Sequence, residues 1–120
     1  MAKEHRLLAR PQFQFVFDRG RKFFSRNFVV FALPRESGTW RLGLTVTRKT
    51  GSAPKRNRVK RVIREFFRLH QHEFDAPVDV VVVPKRKLDP AAVGLDMVTE
   101  ELLPIMRRVS RQAVADGDGA

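Results

Sequence analysis

The clearest hydrophobic pattern in the chain runs from Lys55 to Leu69. Its apolar residues recur at intervals of three and four, the period of an amphipathic helix: Val59, Val62, Ile63, Phe66 and Leu69. At about 100° per residue these side chains fall within an arc of roughly 120°. We therefore expect one face of a helix to pack on the core. Ser52 is placed to cap this helix, with Pro54 in its first turn.

Two more segments have a helical period. The first runs from Arg10 to Asp18, where Pro11 suits the first turn and Gly20 is well placed to end the helix. The second has Pro104 inside it, which is expected to kink or split the helix. Its apolar residues again follow helical spacing: Leu95, Val98, Leu102, Ile105, Met106 and Val109.

Three segments are typical of β-strands. Residues 27–33 are rich in β-branched and aromatic side chains, and residues 40–47 alternate apolar with polar, so we expect an antiparallel pair. Residues 78–83 are nearly all Val, which predicts an interior strand covered on both faces. The order α-β-β-α-β-α predicts a two-layer domain of the α+β or α/β class.

Length and composition indicate one small domain, residues 1–120, with loose ends at about 1–8 and 113–120. The chain has no cysteine, which excludes disulfides and thiolate metal sites. Apolar runs such as residues 80–83 are far too short to span a membrane, and the N-terminal sequence lacks the apolar core of a secretory signal. We therefore expect a cytoplasmic protein.

Positive charge is concentrated around the central helix. Of the chain's formal net charge of +11, the window from Arg48 to Arg68 supplies +8, because it holds nine basic residues and one acid, Glu65. Arg48 and Lys49 lie in the loop before the helix, and Arg58 lies between its two faces. The polar face displays cations and one amide: Arg56, Asn57, Lys60, Arg61, Arg64 and Arg68.

Cations at this spacing repel one another unless a polyanion neutralises them. A solubilising surface would explain the net charge but not its one-sided placement. An anionic membrane would compete for the apolar face that the core needs. Nucleic acid is therefore the preferred partner.

Residues for independent catalysis are not grouped along the sequence. A self-contained nuclease needs an acid–base pair or clustered metal carboxylates. His5 lies in the loose N-terminal end, and His70 and His72 are two residues apart, so on a helix they point in different directions. The acidic residues are scattered. We therefore predict a binding protein without a catalytic residue of its own.

The stretch from Gly51 to Arg68 resembles the protein subunit of bacterial ribonuclease P. That family's signature, Arg-Asn-Arg-x-Lys-Arg-x-x-Arg, is filled completely by Arg56, Asn57, Arg58, Lys60, Arg61 and Arg64. Further segments match in order, so that the resemblance covers roughly residues 5–110: Phe13 to Phe17 followed by Gly20, Arg41 to Lys49, and Val78 to Val83.

The resemblance implies an α+β sandwich with a small mixed sheet and a left-handed β-α-β crossover around the central helix, a sense that is rare in general. It also implies an enzyme subunit. The holoenzyme removes the 5′ leader from precursor tRNA by phosphodiester hydrolysis, and the RNA subunit carries that chemistry with Mg²⁺ held mainly by RNA. The protein would bind the RNA subunit and the single-stranded leader, with no small-molecule substrate and no membrane.

Carried over to this chain, the resemblance assigns two sets of residues. Phe31 stands where the family often has Tyr, and Pro54 where it commonly has Val. The RNA-binding set is Arg48, Lys49, Arg56, Asn57, Arg58, Lys60, Arg61, Arg64 and Arg68, and the leader cleft is Phe13, Phe17 and Phe31. The alternative is a general RNA-binding or ribosome-associated protein without a processing role, which only the signature and its flanking segments disfavour.

Overall fold

The computed structural model describes residues 9–74 and 76–118, with side chains through residue 112. Two short 3₁₀ turns, Arg48–Thr50 and Pro90–Ala92, lie between the main elements. In chain order the helices and strands are α1 (Arg10–Arg19), β1 (Arg21–Phe24), β2 (Phe28–Pro34), β3 (Arg41–Leu44), α2 (Ala53–Leu69), β4 (Val78–Pro84) and α3 (Leu95–Asp118). The expected loose end at 1–8 lies outside the described residues, whereas α3 extends into the one expected at 113–120.

The four strands form one mixed sheet in the order β1-β2-β4-β3. β2 pairs antiparallel with β1 and with β4, and β3 runs parallel beside β4. The predicted antiparallel pairing of residues 27–33 with 40–47 is therefore wrong, because β4 lies between those two strands. The interior position of β4 is confirmed, and the parallel β3-α2-β4 connection fits the expected α+β fold. The left-handed sense of that crossover stays a prediction.

β1 was not predicted from the sequence. Only Phe23 of its four residues is buried, and Arg21, Lys22 and Phe24 are exposed. An edge strand with charged side chains lacks the apolar pattern by which interior strands are recognised. The observed order is therefore α-β-β-β-α-β-α.

The main core lies between α2, α3 and one face of the sheet. α2 buries Val59, Ile63 and Phe66 as predicted, but Leu69 is 50% exposed and Phe67 is buried in its place. Phe67 packs in an aromatic cluster with Trp40, Phe66 and Phe74. α3 runs through Pro104 as one helix, so the expected split does not occur, and the expected kink stays a prediction.

α1 covers the opposite face of the sheet. Val16 packs on Val81 of β4, with half-buried apolar residues around them: Phe13, Phe17, Phe31, Leu33 and Val83. Gly20 permits the close approach at the end of α1, since a Cβ there would lie 2.5 Å from the Val16 carbonyl oxygen and 3.1 Å from that of Ala32. The sheet thus carries a helix on one face and the main core on the other.

Candidate nucleic-acid interface

The exposed side of α2 forms a basic groove, which we define by Asn57, Arg61, Arg64, Glu65 and Arg68. These residues line a shallow depression of about 370 Å³. Within it the Arg68 guanidinium donates from Nε to the Glu65 carboxylate at 3.0 Å. This hydrogen bond lowers the pKa of Glu65. Three exposed polar side chains of the groove remain directed to solvent: Asn57, Arg61 and Arg64.

Arg58 is placed differently from the other signature residues. Its Nη2 donates to the carbonyl oxygen of Val93 at 2.8 Å, which ties α2 to the segment before α3. The structure therefore gives Arg58 an intramolecular partner outside the basic groove. Sequence spacing had placed this residue only between the two helix faces.

The loop before α2 displays two more cations of the predicted set. Arg48 and Lys49 are exposed in the first 3₁₀ turn, where the Thr47 hydroxyl oxygen accepts from the Lys49 backbone N–H at 3.4 Å. Gly51 follows with φ of +148°, a conformation that disfavours other residues, and it turns the chain into α2.

A cleft lies between α1 and the end of β3. Its volume is about 570 Å³, and Phe13 and Phe17 form its aromatic wall. Lys60 reaches it from α2, and residues 44–47 form the opposite side. Half-buried rings beside a cation are suited to hold a base and its phosphate together. We call this site the aromatic cleft.

Phe31, the third predicted cleft residue, lies beside the aromatic cleft and supports its wall. Its ring meets that of Phe17 edge-on, with centroids 4.9 Å apart. The Lys22 ammonium lies 5.7 Å from the Phe31 ring centroid. Lys22 was not among the predicted cleft residues, because β1 was not predicted from the sequence.

Neither a metal centre nor a membrane segment is formed by the described residues. No group of three His, Asp or Glu residues within 9–74 and 76–118 lies close enough to hold a metal ion. Glu65 is engaged by Arg68, and His70 contacts Glu73 at the end of α2. None of the helices in this part of the chain is both long and apolar enough to cross a membrane.

The mixed sheet, the basic groove and the aromatic cleft define a small basic protein of the RNA-binding class. The family model described as Ribonuclease P matches residues 1–110. The chain therefore belongs to the ribonuclease P protein family.

Individual relatives agree with this assignment. The ribonuclease P protein component of Oleidesulfovibrio alaskensis is 51% identical over 111 residues, covering 91% of this chain and 89% of that protein. The solved ribonuclease P protein of Thermotoga maritima is 35% identical with a TM-score of 0.79, covering 86% of this chain and 96% of that one. That of Staphylococcus aureus is 28% identical with a TM-score of 0.77, covering 88% and 95%.

These findings confirm the function that the signature predicted. The protein is a component of ribonuclease P, an endoribonuclease, and functions in 5′ processing of precursor tRNA. Family membership implies the ribonuclease P RNA as its partner. The findings therefore argue against the alternative, an RNA-binding protein without a processing role.

Proposed function

We propose that the basic groove contacts the RNA subunit while the aromatic cleft holds the single-stranded 5′ leader of precursor tRNA. The observation that carries this proposal is the separation of the two surfaces along one helix. Asn57, Arg61 and Arg64 line the groove, whereas Lys60 lines the cleft beside Phe13 and Phe17. Two RNA ligands can thus lie next to each other without sharing a site.

The chemistry of each surface fits its proposed ligand. Guanidinium groups contact phosphates without reading sequence, which suits a folded RNA that is recognised by shape. Exposed rings stack on any base, so the cleft tolerates leaders of different sequence. Asn57 adds an amide that can donate and accept in the same groove. Arg48 and Lys49 extend the positive surface toward the RNA.

The Mg²⁺ that phosphodiester hydrolysis requires would be held mainly by the RNA. Mg²⁺ prefers carboxylate, phosphate and water oxygens. Within residues 9–74 and 76–118 no three His, Asp or Glu side chains group together, so these residues form no cage that could hold the ion without RNA. The role of the described residues is to bind and position RNA.

Both proposed ligands are RNA, and precursor tRNA is made in the bacterial cytoplasm. We therefore place the protein there. Fractionation that follows the protein together with its RNA subunit tests this location. Recovery in the membrane fraction would contradict it.

The groove is tested by the salt dependence of RNA-subunit binding. Each phosphate neutralised contributes roughly 0.7–0.9 to the slope of log K against log salt, so the double variant Arg61→Ala, Arg64→Ala should flatten the slope by about 1.5. Arg107→Ala, Arg111→Ala removes the same charge from exposed positions of α3 and is the matched control. An unchanged slope in the groove variant would contradict the proposal.

The cleft is tested with a conservative variant. Phe17→Leu keeps much of the apolar volume but removes the ring, so we expect weaker binding of precursor tRNA and unchanged binding of mature tRNA to the holoenzyme. Phe15→Leu is the control, because Phe15 lies outside the lining of the cleft. Equal losses with precursor and mature tRNA would argue against leader binding here.

A further inference from the structure

Phe24 is more exposed than any other large apolar side chain of the described residues, with 64% of its surface open to solvent. It ends the edge strand β1. The Lys85 ammonium lies 5.6 Å from the centroid of its ring. A large aromatic residue on an open sheet edge is an aggregation liability unless something covers it. The pair of a bare ring and a cation has the composition of a site for a base and its phosphate.

Phe24 lies on the face of the sheet that carries the aromatic cleft. Side chains alternate between faces along a strand, so Phe24 shares a face with Lys22. Lys22 pairs with Phe31 across the sheet, and Phe31 contacts Phe17 of the cleft wall. Phe24 pairs with Val29, which lies two residues before Phe31 on β2. Along a strand two residues span about 7 Å. A row of aromatic rings and cations therefore leads from the cleft to Phe24.

The backbone beside Phe24 and Lys85 is held by a hydrogen-bond network. The Glu101 carboxylate of α3 accepts at 2.7 Å from the Ser25 hydroxyl, from the Asn27 backbone N–H and from the Asn27 side-chain amide. The Asn27 carbonyl oxygen accepts from the Lys85 backbone N–H at 2.8 Å. The turn after β1 is thus tied to both α3 and β4. Such support holds a binding platform ready before the ligand arrives.

The charges around this platform are not evenly distributed. The depression beside the turn, about 600 Å³ in volume, is lined by Arg26 and Lys87 but also by Asp89, Glu100 and Glu101, so its lining is mixed in charge. Arg86 and Lys87 are exposed beside Lys85. Positive charge next to the ring is therefore concentrated in residues 85–87. A negatively charged strand fits it better than an apolar protein partner.

We propose that Phe24 and Lys85 form a second stacking site for the single-stranded leader, an inference that rests on the proposed leader cleft. The order β1-β2-β4-β3 places β1 at the edge of the sheet opposite β3, from which the chain enters α2. A leader that leaves the RNA subunit at the basic groove crosses the aromatic cleft first and reaches Phe24 later. This site therefore holds a nucleotide farther from the cleavage site than those in the cleft.

The test is kcat/KM of the reconstituted holoenzyme for precursor tRNAs whose leaders are shortened one nucleotide at a time. For the unaltered protein, kcat/KM should rise in two steps with increasing leader length, first when the leader is long enough to reach the aromatic cleft and again when it is long enough to reach Phe24. Phe24→Ala should lose about fivefold or more with long leaders and nothing with short ones. Phe24→Trp, which keeps a stacking surface, should restore the loss. Phe15→Ala, another exposed Phe beside a cation, should behave as the unaltered protein.

Lys85→Gln gives a second readout. The variant removes the ammonium group but keeps the backbone N–H that supports the turn. It should reduce the salt slope by about 0.7 with long leaders only. Normal kcat/KM and slope for both variants at every length would overturn the stacking site. An equal loss at all lengths, or weaker assembly with the RNA subunit, would overturn it too, because the contact would then involve another partner. If Phe17→Leu also shows no leader dependence, the proposed cleft itself fails.

Discussion

The rings of Phe17 and Phe31 meet edge-on, with centroids 4.9 Å apart and planes at 89°. This contact joins α1 to β2, and pairs of this geometry contribute about 0.5–1.5 kcal/mol beyond their buried area. Because Phe17 also lines the aromatic cleft, this contact fixes the position of one wall of the cleft. Changes that move α1 should therefore change leader binding as well as stability.

Gly20→Ala is the most direct way to move α1. The added Cβ would lie within 3.1 Å of two backbone carbonyl oxygens, which cannot move as a flexible side chain would. We expect a loss of about 1–3 kcal/mol in the free energy of unfolding and weaker binding of leader-bearing tRNA. Urea unfolding and tRNA binding measure the two effects.

Gly94→Ala is the matched control, since a Cβ at Gly94 has no neighbour within 4 Å. It should change unfolding by less than about 0.5 kcal/mol. A Gly20→Ala protein as stable as this control would contradict the close packing of α1.

Asp79→Ala should be strongly destabilising. Asp79 is the one buried charged residue within the described part of the chain, and its carboxylate accepts from Arg41 Nε at 2.7 Å and Nη2 at 2.8 Å. Removing it leaves a half-buried guanidinium without its partner between β3 and β4, at a cost of about 3 kcal/mol. Urea unfolding at neutral pH measures this loss. Glu65→Gln, which breaks an exposed pair, should be nearly neutral by comparison.

The stability provided by Glu101 should depend on pH. Burial alone would raise its pKa, but hydrogen bonds from Asn27 and Ser25 outweigh burial and hold the pKa below the usual 4.5. A lowered pKa in the folded state means that the stabilisation is fully present above pH 4.5 and is lost as pH falls through the folded value. Glu101→Gln should therefore cost about 1 kcal/mol at pH 7, given that the group is partly exposed.

Urea unfolding of Glu101→Gln and the unaltered protein, from pH 7 down to about pH 3, tests this pH dependence. The difference between the two proteins should shrink as the pH falls below 4.5. A difference that is constant across this range would show that the carboxylate charge does not hold the turn.

Arg58→Ala should separate structure from RNA binding within the family signature. Because the Arg58 guanidinium donates to the Val93 carbonyl oxygen, its loss should lower the free energy of unfolding by about 1 kcal/mol. The salt slope for the RNA subunit should change less than in Arg61→Ala. A larger change in slope for Arg58→Ala would place its guanidinium on RNA instead.

The sequence predicts well those features that depend on local spacing. The apolar face of α2 and its basic face follow from a period of 3.6 residues, and β4 follows from a run of Val. Phe67 is the exception, because its burial depends on Trp40 and Phe74, which lie outside the helix. Leu69 has the helical spacing but lies where α2 ends, so it remains exposed.

Strand pairing could not be predicted in the same way. Consecutive strands usually lie side by side, which favoured a pair between residues 27–33 and 40–47. In the structure β4 lies between them. β4 follows α2 in the chain, so its pairing with these strands depends on contacts between distant residues, which no local sequence pattern indicates. β1 was not predicted because three of its four side chains are exposed, so the position of Phe24 beside Lys85 was not predicted either. The parts of the candidate site on α1 and α2 were predictable, and the part on the sheet edge was not.

We propose that this protein binds and positions RNA while the RNA subunit performs the hydrolysis. The most direct measurement is cleavage of precursor tRNA at low Mg²⁺ by a bacterial ribonuclease P RNA alone, by this protein alone, and by both together. We expect only the mixture to cut efficiently at the mature 5′ end. Cleavage by the protein alone, or a mixture no more active than the RNA, would contradict these roles.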